Sequence, residues 1–369
     1  MSEAIIPFAG AYPRKKKPLH PHLFERTIPM TSVTSASTSV PATMRAIRYH
    51  TLGGPEVLQL EEVPTPAPQA GEALVKVAAA GINYADTARR NGRYLERTPL
   101  PYIPGSEVAG TVVALGPDTP AEGLAQIGAR VMALCSAGGY AEYIALPARA
   151  LAPIPTGLDW ASAAALPVQG LTAYHILHTS GRMQPGETVL INAAAGGVGT
   201  LAVQLAKLGG AGKVIAAAGS PEKLELARSL GADETINYVA DDLAEQVRAL
   251  TGGKGADVIL EAAGGQIFNR SVASLAMFGR LVTYGQASGE SGTLEPARLM
   301  TRNASLIGFW LAVLPGRMIQ QGMQALMGYL AEGKLRVVVG ATYPLAEAAR
   351  AQAYLTSRGA TGKLILLME

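Results

Sequence analysis

A glycine-rich loop between a short apolar strand and a helix constrains the fold of this chain more than any other feature. The segment runs from Pro185 to Gly199 and reads PGETVLINAAAGGVG. It predicts a turn, a buried strand from Val189 to Ala193, a loop, and a helix from about Val198 to Leu208. Backbone amides at the start of a helix bind anions when no side chain covers them. In a strand–loop–helix unit the expected anion is the pyrophosphate of a dinucleotide.

The loop by itself does not identify a dinucleotide-binding site, because a tight strand-to-helix turn can have the same residues. Ala194 also stands where the dinucleotide fingerprint has its first glycine. The following sequence favours the dinucleotide, since five more apolar strands alternate with helices. They are predicted at 214–217, 234–237, 258–262, 280–284 and 305–309. This rhythm predicts an α/β fold with a doubly wound, six-stranded parallel sheet covered on both faces. Gly196, Gly197, Val198 and Gly199 are then the residues predicted against the pyrophosphate.

The residues after the second strand favour NADPH over NADH. An acidic side chain about twenty residues beyond the fingerprint would hold the ribose hydroxyls of NAD, but Gly219 stands there. Ser220 and Pro221 predict the start of a helix. Lys223 then lies in the first turn, where the helix dipole disfavours a cation. A neighbouring 2′-phosphate explains this lysine; the alternative is a solvated surface lysine.

Composition limits the other classes of function. A chain of 369 residues that is 49% hydrophobic can bury the cores of two domains. A net charge of +3 with 16% charged residues gives no sign of nucleic-acid binding, and no apolar run is long enough to span a membrane. Cys135 is the only cysteine, which excludes an intrachain disulfide and suits a cytoplasmic location.

The rest of the chain divides into a tail and a second domain. Residues 1–43 are basic and then Ser/Thr-rich, which predicts a disordered tail or a start placed too far upstream. From Met44 many short strands punctuated by glycine and proline predict a β domain. The predicted boundaries are 44–171 for the first part of this domain, 172–305 for the nucleotide domain, and 306–369 for a return to the β domain.

Several motifs in fixed order resemble the medium-chain dehydrogenase/reductase superfamily, and within it the zinc-free, zeta-crystallin-like quinone oxidoreductases. They are GINYAD (81–86), PGSEVAG (104–110), GLTAY (170–174), the glycine-rich loop, and GAD (231–233) leading to INY (236–238). The resemblance covers Met44 to the end of the chain. It implies a GroES-like β domain packed on a Rossmann domain, with the active site between them. It also implies a homodimer formed through the edge strand near residues 305–309.

Two departures from the zinc-dependent relatives predict that no metal is bound. Asn83 stands where those enzymes have a cysteine ligand, and Ser106 where they have a histidine. Amide and hydroxyl side chains are poor zinc ligands, and a catalytic zinc needs three protein ligands. Without a Lewis acid, the acceptor should delocalise the incoming negative charge itself. Quinones and other conjugated carbonyl compounds do so, which predicts that this class of small molecule is the substrate.

Further site residues are implied position by position by the resemblance. Asn83 would hold the nicotinamide ribose or the substrate oxygen, and Thr172 the carboxamide. Ser220, Lys223 and Tyr238 match the adenosine-phosphate pocket, and Arg358 an arginine that reaches the cofactor. Lys363 is a less certain cofactor contact and is more simply interpreted as a lysine at a strand edge. Glu107 is interpreted as a structural residue that holds a turn or pairs with a base.

Two alternative functions remain open. Tyr94 and the segment Phe309–Leu311 resemble the zinc-free enoyl-thioester reductases, in which a tyrosine at this position donates a proton. Tyr94 is accordingly a second catalytic candidate, although a tyrosine that only lines an apolar cleft is an equally simple interpretation. The other alternative is a non-catalytic NADPH-binding protein, as the related lens crystallins illustrate.

Overall fold

The computed structural model describes residues 40–368, so the predictions for residues 1–39 lie outside the described residues. The first half of the described chain is mainly β structure. Its elements are β1 (Thr43–Arg48), β2 (Gln59–Pro64), β3 (Glu72–Ile82), α1 (Tyr84–Arg90), β4 (Glu107–Leu115), β5 (Arg130–Leu134), β6 (Tyr143–Pro147), β7 (Leu151–Pro153), α2 (Trp160–Ala164) and α3 (Pro167–His175). A π-helical turn, Ile176–Ser180, follows α3 and leads into the second half.

The second half alternates strands with helices. Its elements are β8 (Thr188–Asn192), α4 (Gly197–Leu208), β9 (Lys213–Ala218), α5 (Pro221–Ser229), β10 (Glu234–Asn237), α6 (Leu243–Leu250), β11 (Ala256–Glu261), α7 (Gly265–Ala273), β12 (Leu275–Thr283), α8 (Ala297–Met300) and β13 (Ser305–Gly308). The strands form one parallel sheet of six in the order β10-β9-β8-β11-β12-β13. Val189 and Ile191 pack into the core on one face of this sheet and Leu190 into the core on the other. Both faces are therefore covered, as predicted.

The end of the chain returns to the first half. Its elements are α9 (Gly316–Ala331), β14 (Val339–Pro344), α10 (Ala348–Thr356) and β15 (Lys363–Leu367). β15 pairs with β3 and with β14, which completes a sheet of seven strands. Gly333 adopts a φ of +66° just beyond α9, the left-handed conformation common where a helix ends. The GroES-like and Rossmann architecture is therefore confirmed, while the predicted boundaries after residues 171 and 305 stay predictions.

Two local details differ from the sequence-based expectation. α1 is not predicted at all, although Asn83 and Asp86 carry a signal for a helix start: the Asp86 carboxylate accepts the Asn83 N–H at 2.8 Å. β12 begins at Leu275 rather than at Arg280, because its first residues pair with β11 across a register shift. Among the helices of the described residues, none is both long and apolar enough to span a bilayer.

Candidate active site

The glycine-rich loop places an uncapped helix start at the carboxyl edge of the parallel sheet. β8 lies between β9 and β11, so the strand order reverses at this strand. Gly196 is the N-cap of α4, and no side chain caps the helix. The first amides of a helix have no partner within it. Gly197, Val198 and Gly199 thus provide N–H groups suited to the pyrophosphate of a dinucleotide.

Gly199 is required by close packing against backbone atoms, and Gly197 lies against the side chain of Gln169. A Cβ on Gly199 would lie 2.4 Å from the carbonyl oxygen of Ala193, and a Cβ on Gly197 would lie 1.8 Å from Oε1 of Gln169. Gln169 is on α3, and Thr172 follows it by three residues on the same face. The structure therefore brings Thr172 to the side of the helix that meets the nucleotide loop. Gln169 was not identified from the sequence, because its neighbour Gly197 lies in a distant segment.

The residues predicted for the adenosine phosphate come together beside α5. Ser220 is the N-cap, as predicted, and its Oγ accepts the Lys223 N–H at 3.4 Å. The Lys223 ammonium donates a hydrogen bond to the main-chain carbonyl of Arg358. Burial lowers the pKa of Lys223 and raises that of Tyr238, and the guanidinium of Arg358 opposes the shift of Tyr238. Two cations, a hydroxyl and a phenol thus converge, a set of groups that suits a phosphate dianion.

Asn83 lies at the centre of a buried polar cluster formed by elements distant in the chain. It is 7% exposed at the junction of β3 and α1. Its Nδ2 donates to Oε1 of Glu107 at 3.0 Å, and its Oδ1 accepts from Nζ of Lys363 at 2.7 Å. Lys363 also forms an ion pair with Glu107, and both side chains are buried. The interpretation of Lys363 as a strand-edge lysine is therefore wrong, whereas the expected pairing of Glu107 with a base is confirmed.

This cluster connects directly to the nucleotide loop. The N–H of Gly362, just before Lys363, donates to the carbonyl of Ala195 at 2.8 Å. The second oxygen of Glu107 accepts the N–H of Val168 at the start of α3 at 2.7 Å. The cluster also explains why the GINYAD motif begins with glycine, since a Cβ at position 81 would lie 2.4 Å from Glu107 Oε1. Asn83 is consequently held at the junction of the two domains.

A second buried carboxylate, that of Asp86, accepts two hydrogen bonds in the first turn of α1. Asp86 accepts the Asn83 N–H and also the Tyr140 O–H, the latter at 2.9 Å. Burial raises the pKa of Asp86 to about 6, although these hydrogen bonds and the nearby Lys363 oppose the shift. The same burial raises the pKa of Tyr140 well above its ordinary value.

The donor set at the positions of the zinc ligands does not fit zinc. Asn83 presents an amide oxygen that already lies 2.7 Å from an ammonium, and Ser106 presents a hydroxyl. A second cation placed against Lys363 would be repelled, and neither side chain is a typical zinc donor. Across residues 40–368, no three His, Cys, Asp or Glu side chains form a group able to hold a metal ion.

Tyr94 is held by contacts with Trp310 and Arg89. The indole Nε1 of Trp310 donates to the Tyr94 hydroxyl at 2.9 Å, and the two rings meet edge to face. The guanidinium of Arg89 stacks on the Tyr94 ring at 4.0 Å. Because an indole N–H can only donate, the Tyr94 oxygen acts as an acceptor here and its own proton stays available. This geometry is compatible with a proton donor and with a tyrosine that lines an apolar cleft.

Comparison with known proteins agrees with this architecture. The family model described as alcohol dehydrogenase GroES-like domain matches residues 69–156, and the model described as zinc-binding dehydrogenase matches residues 197–329. The quinone oxidoreductase of Pongo abelii is 36% identical over 330 residues, which cover 88% of this chain and 98% of the relative.

Two solved structures of quinone oxidoreductases are also similar to this chain. The quinone oxidoreductase of Thermus thermophilus, described with its NADPH complex, is 40% identical with a TM-score of 0.78 and covers 88% of this chain and 100% of its own. The Escherichia coli quinone oxidoreductase complexed with NADPH is 33% identical with a TM-score of 0.81, covering 88% and 99%. The fold and the site define a medium-chain dehydrogenase/reductase. Within that superfamily, the chain belongs to the quinone oxidoreductase family.

Proposed function

We propose that this protein is an NADPH-dependent, zinc-independent reductase of quinones or other conjugated carbonyl compounds. The observation that carries the proposal is the contact between Asn83 and Lys363, because it places an amide and an ammonium where a metal would otherwise be held, beside the nucleotide loop. The relatives named as quinone oxidoreductases and the NADPH complexes of two neighbours support the same assignment.

The chain's own residues bind and orient the two reactants. The amides of Gly197, Val198 and Gly199 hold the pyrophosphate, and Lys223 with Arg358 holds the 2′-phosphate. Thr172 and Asn83 hold the nicotinamide end. When bound, NADPH supplies the hydride. Positioning of this kind supplies a large part of the rate, because it converts an encounter into a reaction between oriented groups.

The acceptor must stabilise most of the charge that it gains. A hydride delivered to a quinone or an enone leaves negative charge spread over a conjugated system that ends at oxygen. Tyr94 is the proposed donor to this oxygen, because its hydroxyl oxygen accepts from Trp310 and its own proton stays available.

A substrate panel tests the proposal. After dialysis against a chelator, the protein should oxidise NADPH faster with quinones and α,β-unsaturated carbonyl compounds than with simple ketones, and faster with NADPH than with NADH. A requirement for added zinc would contradict the proposal. Tight NADPH binding without turnover on any conjugated acceptor would instead favour the non-catalytic alternative.

The hydrogen bond from Trp310 to Tyr94 favours a second candidate, a 2-enoyl thioester reductase. This reaction needs a proton donor for the enolate, and general acids contribute roughly 10²- to 10⁴-fold. Tyr94→Phe should therefore lower the rate with crotonyl-CoA by about 10²-fold or more if this is the function. It should lower quinone reduction much less, because the anion of a hydroquinone is far more stable than an enolate and depends less on a proton donor. Tyr143→Phe, which removes a phenol in β6 away from the nucleotide loop, is the control. If Tyr94→Phe leaves both rates unchanged, Tyr94 is not a proton donor.

The edge of the parallel sheet supports a homodimer. β13 is the last strand of the sheet, and Phe278 and Met300 lie near it, 68% and 75% exposed. The Phe278 N–H donates to the carbonyl of Arg302, which brings these segments together. Two copies can pair their β13 edges and cover these apolar side chains.

The doubly substituted Phe278→Glu/Met300→Glu protein should have half the parental mass by light scattering. Ile127→Glu, 70% exposed in the β domain, should not. A parental monomer would refute the dimer. The predicted cytoplasmic location rests only on the single cysteine.

A further inference from the structure

The hydrogen-bonding capacity of the Asn83 amide is almost used up within the protein. Its nitrogen carries two N–H groups, and its oxygen has two lone pairs. One N–H is donated to Glu107, and the other points to the carbonyl of Gly81 at 3.5 Å. One lone pair of the oxygen accepts from Lys363. The Asp86 N–H at the start of α1 faces the same oxygen, but its hydrogen bond at 3.0 Å goes to the main-chain carbonyl of Asn83. What remains is a single acceptor site on Oδ1.

The orientation of the amide is fixed by its two charged neighbours. A lysine ammonium has only donors, and a carboxylate has only acceptors. The amide oxygen must therefore face Lys363 and the amide nitrogen must face Glu107, and a flip would place donor against donor and acceptor against acceptor. Burial of the ion pair makes such a mismatch costly, because water cannot replace the lost partners.

We infer that Lys363 and Glu107 are positioning residues that lock Asn83 as a hydrogen-bond acceptor. Asn83 then binds a hydroxyl group, as on the nicotinamide ribose, and does not donate to the oxygen of the substrate. This inference rests on the proposed function only in taking the dinucleotide as the ligand. The sequence leaves two roles open for Asn83, a contact with the nicotinamide ribose and a contact with the substrate oxygen. The inference selects the ribose contact, so the substrate oxygen must receive its hydrogen bonds from other groups.

A charge swap within the cluster tests this inference. Asn83→Asp alone adds a carboxylate beside Glu107 and Asp86, so that three buried carboxyl groups surround one ammonium, and it removes the N–H group that Glu107 accepts. NADPH affinity, measured by calorimetric titration, should fall by about 30-fold or more. Adding Glu107→Gln restores one carboxylate, one amide and one ammonium in nearly the same volume. The new amide can donate to the carboxylate introduced at position 83, and its oxygen can still accept the N–H of Val168. Lys363 loses Oε1 of Glu107 as its anionic partner and pairs with the carboxylate at position 83 in its place. The doubly substituted protein should recover NADPH affinity to within about 5-fold of the parent.

The NADPH affinity and the kcat of the doubly substituted protein show whether Asn83 accepts a hydrogen bond from the coenzyme or donates one to the substrate. An aspartate at position 83 accepts from a ribose hydroxyl as well as asparagine does, but it cannot donate to an oxyanion. If NADPH affinity recovers while kcat stays about 100-fold low, Asn83 donates to the substrate and the inference is wrong. If affinity does not recover in a protein with parental thermal stability, the cluster does not position Asn83 and the inference also fails.

A neutral variant keeps the test decisive if Asn83→Asp does not fold. Lys363→Met/Glu107→Gln removes both buried charges together, which proteins tolerate far better than the loss of one partner. This variant should keep the parental melting temperature but bind NADPH about 10-fold more weakly, because the amide of Asn83 is no longer oriented. Unchanged affinity would overturn the inference. Coenzyme binding is measured without any acceptor, so failure of the proposed quinone activity cannot be mistaken for failure of this inference.

Discussion

Replacing Lys223 with alanine should reduce kcat/KM for NADPH by roughly 10- to 100-fold and leave kcat/KM for NADH nearly unchanged. A hydrogen bond to a charged group contributes about 1.5–3 kcal/mol, and each 1.4 kcal/mol is a factor of ten. NADH lacks the 2′-phosphate, so it loses nothing when the ammonium is removed. Steady-state kinetics with both coenzymes measure the ratio directly.

The effect of a second substitution follows from the phosphate that both residues are proposed to contact. Arg358→Gln should also lower the preference for NADPH. Its effect and that of Lys223→Ala should not add, because both cations would contact the same phosphate. The preference should weaken as salt is raised, since the contact is electrostatic.

The control for Lys223 is a lysine on the neighbouring helix. Lys207 on α4 forms an exposed ion pair with Asp233, and such pairs contribute little to stability. Lys207→Ala should change neither coenzyme's kinetics. If Lys223→Ala weakened NADH and NADPH equally, the residue would support the fold of the pocket and would not recognise the phosphate.

The nucleotide-binding half of the molecule was predictable because its signals are local. Buried parallel strands are short apolar runs, and two of the helices between them, α5 and α6, begin at a capping side chain. Ser220 and Pro221 mark the start of α5 within two residues, and the structure confirms this start. Only the beginning of β12 was missed, since it depends on a register shift against β11.

The chemistry at the domain junction was much less predictable, because its partners are far apart in the chain. Lys363 contacts Asn83 across 280 positions, and nothing in the sequence around Lys363 marks it as buried. A lysine flanked by glycine and a short strand is usually exposed, so the local interpretation failed. The resemblance to a family identified Asn83, but only the fold shows which atoms of its side chain remain available.

The glycine at position 199 should be the least replaceable residue of the nucleotide loop. A methyl group there would lie 2.4 Å from the Ala193 oxygen and 2.6 Å from the Ala194 Cα, and these backbone atoms cannot rotate away. Overpacking of this kind costs about 1–3 kcal/mol, so Gly199→Ala should unfold at a lower temperature. Since the loop must shift to admit the methyl group, NADPH affinity should fall as well.

A glycine-to-alanine substitution in another helix should increase stability. Gly328 lies inside α9, and no atom is within 4 Å of the position that its Cβ would occupy. Alanine is favoured over glycine in a helix by about 0.5–1 kcal/mol, so Gly328→Ala should raise the melting temperature and leave NADPH binding unchanged. Melting curves and calorimetric titrations of the two variants test both expectations. Equal stability of Gly199→Ala and the parent would mean that α4 can move away from β8, and the loop would then not be the rigid anion site on which the proposed function depends.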